Sequence, residues 1–146
     1  MRAHVAWLTL FFTLISSSAF AREALIFRAP TEDHRDQVVT EYISTHYPQT
    51  LRPYVFARVD MNDDGIPEYI VRPQNHTRKS VSPHHILSVR RRQVADWGMI
   101  PAQKLEISDK KQGVFRQILV YNQPRNDFYH EIWLYTDGRY QSPRSP

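Results

Sequence analysis

Between Val59 and Val71 the chain reads VDMNDDGIPEYIV, which places Asp60, Asn62, Asp63, Asp64 and Glu68 around one glycine, Gly65. With Asp60 as position one, Asn62 falls at three, Asp64 at five, Gly65 at six, Ile66 at seven and Glu68 at nine. Hard oxygen donors at alternate positions converge on one point when the chain curls, and a hard cation such as calcium takes several oxygens at once. Gly65 permits the sharp turn, the Ile66 carbonyl supplies a backbone oxygen, and Glu68 is placed to ligate directly or through water. Asp63 lies between ligand positions and is expected to point to solvent. The bland alternative is a metal-free turn, because Asp, Asn and Gly are ordinary turn residues. The regular spacing asks for more than a turn needs, and the reading adopted is one Ca2+ on Asp60, Asn62, Asp64, Ile66 and Glu68. Such an ion relieves the mutual repulsion of four acids and pins the hairpin.

The segment DMNDDGIPEY resembles the D-x-[DN]-x-D-G-x-x-[DE] calcium loops of dockerin-type, FG-GAP-type and other EF-hand-like bacterial secreted proteins. It is most similar to their strand–loop–strand form, through Asp60, Asn62, Asp64, Gly65 and Glu68. The resemblance spans about a dozen residues and implies a loop and an ion, not an activity for the whole chain. A looser likeness, carried by an early helix, this loop, a sheet and a terminal YTDGRY hairpin, is to small uncharacterised periplasmic proteins. Three departures set the chain apart from a true EF-hand. Position twelve, which takes a bidentate acid, is Val71; Pro67 follows position seven; and the flanking runs look like strands instead of helices.

The elements that position this loop follow from period and punctuation. Thr31 is a suitable N-cap, Glu32 and Asp33 suit a helix start, and Val38, Val39, Tyr42, Ile43 and Tyr47 recur at helical spacing, so the pattern predicts a helix over 31–46 stopped by Pro48. From Tyr54 onward the period becomes two. YVFARVD and EYIVRP flank the acidic loop as a hairpin over 54–73. HHILSVRRR, two short strands bent at Gly98 to Pro101, VFRQILVYN, YHEIWLY and a last strand at Arg139 to Gln141 after the Asp137-Gly138 turn complete the set. The expected fold is a single α+β domain over 22–146, an N-terminal helix packed on a meandering antiparallel sheet. The SPRSP tail reads as frayed.

The first 21 residues have the form of a secretory signal peptide: Arg2, an apolar run from Val5 to Ile15, and Ala19-Phe20-Ala21 at the cleavage point. Its removal takes one basic residue and leaves 18 Lys and Arg against 15 Asp and Glu, a net charge of +3. That is too mild to indicate nucleic acid, and no later run resembles a membrane span. There is no cysteine, which excludes thiol chemistry and leaves packing or a metal to stabilise an exported domain. The expected address is periplasmic or secreted, and the Asn75-His76-Thr77 sequon is read as chance.

Other groups were weighed against plainer roles. His84 and His85, with His76 nearby, could ligate zinc or copper, but adjacent strand residues face opposite ways. Arg90, Arg91 and Arg92 read as a solvated strand end, with Arg90 and Arg92 on one face. Trp97, Phe115, Tyr121, Phe128, Tyr129, Trp133, Tyr135 and Tyr140 fill a core or, where exposed, offer a carbohydrate or protein partner a surface. No Gly-x-Ser-x-Gly, His-Glu-x-x-His or phosphate loop is present, and His130 beside Glu131 is split by strand alternation. The sequence therefore reads as a calcium-binding interaction module and not an enzyme. The alternatives are a cell-envelope hydrolase, or a periplasmic inhibitor or immunity protein with an aromatic face.

Overall fold

The computed structural model describes residues 22–47, 53–122 and 129–143. The segment read as a leader, Pro48, Phe128 and the last three residues of the tail lie outside them. In chain order the elements are β1 (Arg22–Ala24), α1 (His34–His46), β2 (Tyr54–Val59), β3 (Glu68–Pro73), β4 (Ser82–Arg90), β5 (Gln93–Ala102), β6 (Lys104–Gln112), β7 (Phe115–Tyr121), β8 (Glu131–Thr136) and β9 (Arg139–Gln141). Every pairing is antiparallel. One sheet has the order β2-β3-β4-β5 and the other β1-β6-β7-β8-β9.

This overturns the α+β expectation. The protein is mostly β, two antiparallel sheets with one short helix, and not a helix laid on a single meander. The reason is visible in burial along the strands. Glu68 to Val71 are buried consecutively, and so are His84 to Val89. A strand buried on both faces needs a cover on each. The short helix covers one face: Val39 and Ile43 pack with Phe56, Tyr69, Val71, Leu87 and Val89. The second sheet covers the other. Ala57, Val59, Ile70, Ile86 and Ile100 meet Leu105, Ile107, Ile118 and Val120 in the core between the sheets.

The helix begins later than its pattern suggested. Asp33 is the N-cap, its carboxylate accepting from the Arg35 amide at 2.8 Å. Thr31 instead donates its amide and hydroxyl to Asp36, at 2.9 and 2.8 Å, and Arg58 of β2 pairs with the same carboxylate. Burial pushes the Asp36 carboxyl up, but these donors outweigh it and hold the group below the usual carboxylate range. The helix start is thus tied to β2 by a polar clamp as well as by its apolar stripe.

Both sides of the stack are seamed. After β1, the chain crosses to the other sheet, where Arg28 exchanges two backbone hydrogen bonds of 2.8 Å with Phe56 of β2. On the far side β9 packs against β5 at Gly98, where a Cβ would come within 3.3 Å of the Tyr140 carbonyl oxygen. The expected bend at Gly98 to Pro101 is not a strand break: β5 runs through it, and Trp97 and Gly98 together oppose Ile86 as a bulge. Gly98 has φ +112, a region closed to most side chains. Gly98→Ala is expected to lower stability by about 1–3 kcal/mol in urea denaturation, from strain and contact together. Gly113→Ala, at φ +61 with open space around it, isolates the backbone part and should cost less.

Candidate functional site

The acidic loop joins β2 to β3, and its backbone is shaped by its own side chains. Asp60 Oδ1 accepts from the amides of Asn62 and Asp64, at 3.3 and 3.2 Å, and its Oδ2 accepts from the Gly65 amide at 2.8 Å. Asp64 Oδ1 accepts from the Ile66 amide at 2.8 Å, and Asn62 Nδ2 donates to Asp64 Oδ2 at 3.1 Å. Asp63 and Gly65, with φ 56 and 79, turn the chain through left-handed conformations. Asp60, Asn62 and Asp64 therefore share one turn, as their spacing implied. Asp63 points away from them, to Lys111 on β6. The loop is also held from below: Met61 is fully buried in the core between the sheets, and its carbonyl accepts from the Arg116 amide of β7 at 2.7 Å.

Glu68 departs from the expected picture. It opens β3 opposite Val59 with its side chain fully buried. Its Oε2 accepts from the Met61 amide at 3.0 Å, and its Oε1 accepts from Ser88 Oγ at 3.3 Å and from Arg90 Nη2 at 2.9 Å. The same Arg90 nitrogen donates to Asp64 Oδ2 at 2.6 Å. Glu68 and Asp64 thus converge on one guanidinium nitrogen. Burial pushes the Glu68 carboxyl above its ordinary value, and the Met61 amide and Arg90 offset only part of that. For Asp64 a slight burial penalty is outweighed by the Ile66 amide, Asn62 and Arg90, so its carboxyl lies below the ordinary value. The Ile66 side chain is exposed and its amide belongs to Asp64. Among the described residues, no group of three or more His, Asp or Glu side chains is arranged to hold a metal ion.

Arg90 is the residue the sequence reading misplaced. Alternation was carried across Arg90, Arg91 and Arg92, but β4 ends at Arg90. Arg91 and Arg92, at φ 46 and 68, form the two-residue turn to Gln93. Arg90 therefore faces the acidic loop. Its partners lie 22 and 26 residues away in sequence, and only the pairing of β3 with β4 brings them together.

The remaining groups sort cleanly. His84 and His85 do face opposite ways: His84 packs against Phe27 and His76, and His85 against Tyr47 and Asp96. Tyr47 donates to Asp96 at 2.7 Å. Phe115 and Tyr135 stack, Trp97 meets both rings edge-on, and the three lie beside buried Tyr140; Tyr121 is also buried. Trp133 is partly buried against the same core. Tyr129 is 55% exposed and Ile132 40%, and both line a shallow groove of about 240 Å³. No described helix is long and apolar enough to cross a membrane. Comparison with protein-family models, with curated proteins and with solved structures finds no match to this chain.

Proposed function

We propose that the chain is a calcium-binding interaction protein of the periplasm or the extracellular space, not an enzyme. The ion is taken by side-chain oxygens of Asp60, Asn62 and Asp64, the Ile66 carbonyl and Glu68, and it competes with the Arg90 guanidinium for Asp64 and Glu68. The observation that carries this reading is the convergence of Asp64 and Glu68 on one Arg90 nitrogen, at 2.6 and 2.9 Å. That is a place where a positive charge is already held. With the Arg90 guanidinium displaced, Asp60, Asp64 and Glu68 offer three carboxylates to one divalent ion. The left-handed turn at Asp63 and Gly65 and the bonds from Asp60 to the loop amides preorganise the donors. Tyr129 and Ile132, exposed side by side on the groove wall, suit a protein or carbohydrate partner.

The Arg90 bonds also favour a second reading, in which the guanidinium is the loop's permanent cation and no metal binds. A thermal melt in EDTA, in calcium and in magnesium separates the two. At 0.1–1 mM affinity, calcium at roughly ten times its dissociation constant stabilises by about 1–2 kcal/mol, a shift of a few degrees in Tm. Asp60→Asn keeps an acceptor for the loop amides while removing charge, and should abolish the calcium shift with the fold retained. Identical melts of a folded protein in EDTA and calcium would reduce the loop to its arginine-locked form.

A further inference from the structure

The two ends of the core between the sheets are unlike. At the end under the acidic loop, buried Glu68 has Arg90. At the other end the same face of β3 presents Arg72, and no carboxylate among the described residues pairs with it. Its Nε and Nη1 are buried, with no hydrogen-bond partner among the described residues. The guanidinium carbon lies 4.1 Å from the centre of the Phe27 ring. Burial lowers the pKa of this guanidinium, with no charged partner offsetting it. Arg72 as a whole is half-buried, but two buried guanidinium nitrogens without an acceptor are costly, and native folds rarely keep such groups without use.

Arg72 lines a cavity of about 180 Å³ together with His76, Arg78, His84, Lys104 and Glu106. Glu106 is already engaged. Lys104 Nζ lies 2.8 Å from its Oε1, the Tyr121 hydroxyl donates to Oε2 at 2.6 Å, and Arg22 lies 3.7 Å from the same oxygen. Three permanent cations thus surround the cavity against one committed carboxylate, with two imidazoles besides. The histidines are fixed: His76 Nε2 lies 2.7 Å from the Gln103 carbonyl, and His84 Nδ1 lies 3.0 Å from the Ser82 carbonyl. Leu25 and Phe27, which form part of the wall, lie between β1 and the Arg28 bridge and carry no strand pairing.

We propose that this cavity binds a small oxyanion, a phosphate or a carboxylate, with Arg72 as its principal donor and Arg78 and Lys104 at its rim. A planar guanidinium matches the paired oxygens of both groups. The cavity is below the size that takes a drug-like molecule, which restricts the ligand to a small ion or a terminal group of a larger one. The anion supplies the negative charge that Arg72 lacks. It would also favour protonation of His76 and His84, whose pKa values burial depresses, His84 to about 4.

The test is a titration of the purified protein at pH 7 with sodium phosphate and, separately, sodium acetate, at constant ionic strength set by sodium chloride. The imidazole resonances of His76 and His84 are followed by NMR, with exposed His34 as internal control, and Tm is read in parallel. Saturable shifts of His76 and His84 alone, with a rise in Tm, are expected for at least one of the two anions; which one responds assigns phosphate or carboxylate. Arg72→Met should remain folded, since it removes an unanswered charge, and should weaken the response at least about tenfold. Arg72→Lys, which keeps the charge without the fork, should fall between. The proposal is overturned if the wild-type imidazoles show no saturable response to either anion at tens of millimolar, or if folded Arg72→Met responds as wild type does.

Discussion

The stability of this protein is expected to fall steeply between pH 6.5 and 4, and His84→Gln is expected to flatten that fall. His84 is 1% exposed on β4, at the core end that Arg72 occupies. Burial pushes its pKa from 6.5 down to about 4, and the neighbouring His76 and Arg72 push the same way. The bonds from backbone groups of Ser82 and Ile100 oppose this only in part. A group whose folded pKa is depressed binds its proton more weakly folded than unfolded. The unfolded chain therefore gains a proton first as pH drops, and the folded state loses ground from about 6.5 until the folded pKa is reached. A gap of that size corresponds to roughly 3 kcal/mol, large beside the marginal stability of a small domain. His76 is depressed for the same first reason, burial, and adds in the same direction.

Asp36, Asp96 and Glu106 are carboxyls held below their ordinary values in spite of burial. Their contribution is present above the ordinary carboxylate pKa and is lost only as pH falls below it, so they act in a lower window. Glu68, whose carboxyl burial holds above its ordinary value, acts in the opposite direction, so the His84 part is read as the difference between the urea midpoints of wild type and His84→Gln from pH 7.5 to 4.5. Glutamine keeps a donor for the Ser82 carbonyl and does not titrate, so its profile should be clearly shallower than that of wild type, with the His76 part remaining. Identical profiles for wild type and His84→Gln would mean that His84 accepts its proton in the folded state at little cost, and the buried-neutral assignment would fail.

The second large effect is expected at Arg90. Arg90→Met leaves the fully buried Glu68 without its cation. One-sided removal of a buried pair costs about 3–5 kcal/mol; because Arg90 is itself partly exposed, about 2–4 is expected here. The double variant Glu68→Gln/Arg90→Met should recover most of that loss, because the glutamine carbonyl still accepts from the Met61 amide and no buried charge remains. A double variant as unstable as the single one would show that Arg90 acts through packing and not through its charge. The single variant also bears on calcium. If ion and guanidinium compete for Asp64 and Glu68, the calcium-induced rise in Tm must be larger in Arg90→Met than in wild type. An equal or smaller rise would place the ion away from those two carboxylates.

Much of the local structure was legible in the sequence because it is written in contiguous residues. The acidic turn is one such case, since Asp60, Asn62 and Asp64 bond to amides within five residues of themselves. The helical stripe and the Asp137-Gly138 turn, with φ 52 and 83, are others. The division into two sheets was not legible. Period-two alternation shows which residues share a face, but not what covers that face, and EYIVRP with HHILSV gave continuous apolar runs that alternation does not explain. Arg90 was missed for a related reason. Its role depends on the register of β3 against β4, and the strand ends two residues before the run of arginines does. Arg72 carries the same lesson, as its lack of a counter-charge exists only once the second sheet is in place.

The pairing of β1 with β6 sets an order of assembly. Arg22 lies opposite Ser108, so the earliest described strand has nothing to pair with until most of the chain has been made and has collapsed. Strands β2 to β5 form a run of consecutive hairpins and can zip locally, whereas joining the first strand to the sixth requires closure of a long loop, a slow step for chains of this topology. Until it happens β6 keeps an open edge. The arrival of β1 is therefore expected late in folding, and the chain is expected to be most exposed to edge-to-edge association before it.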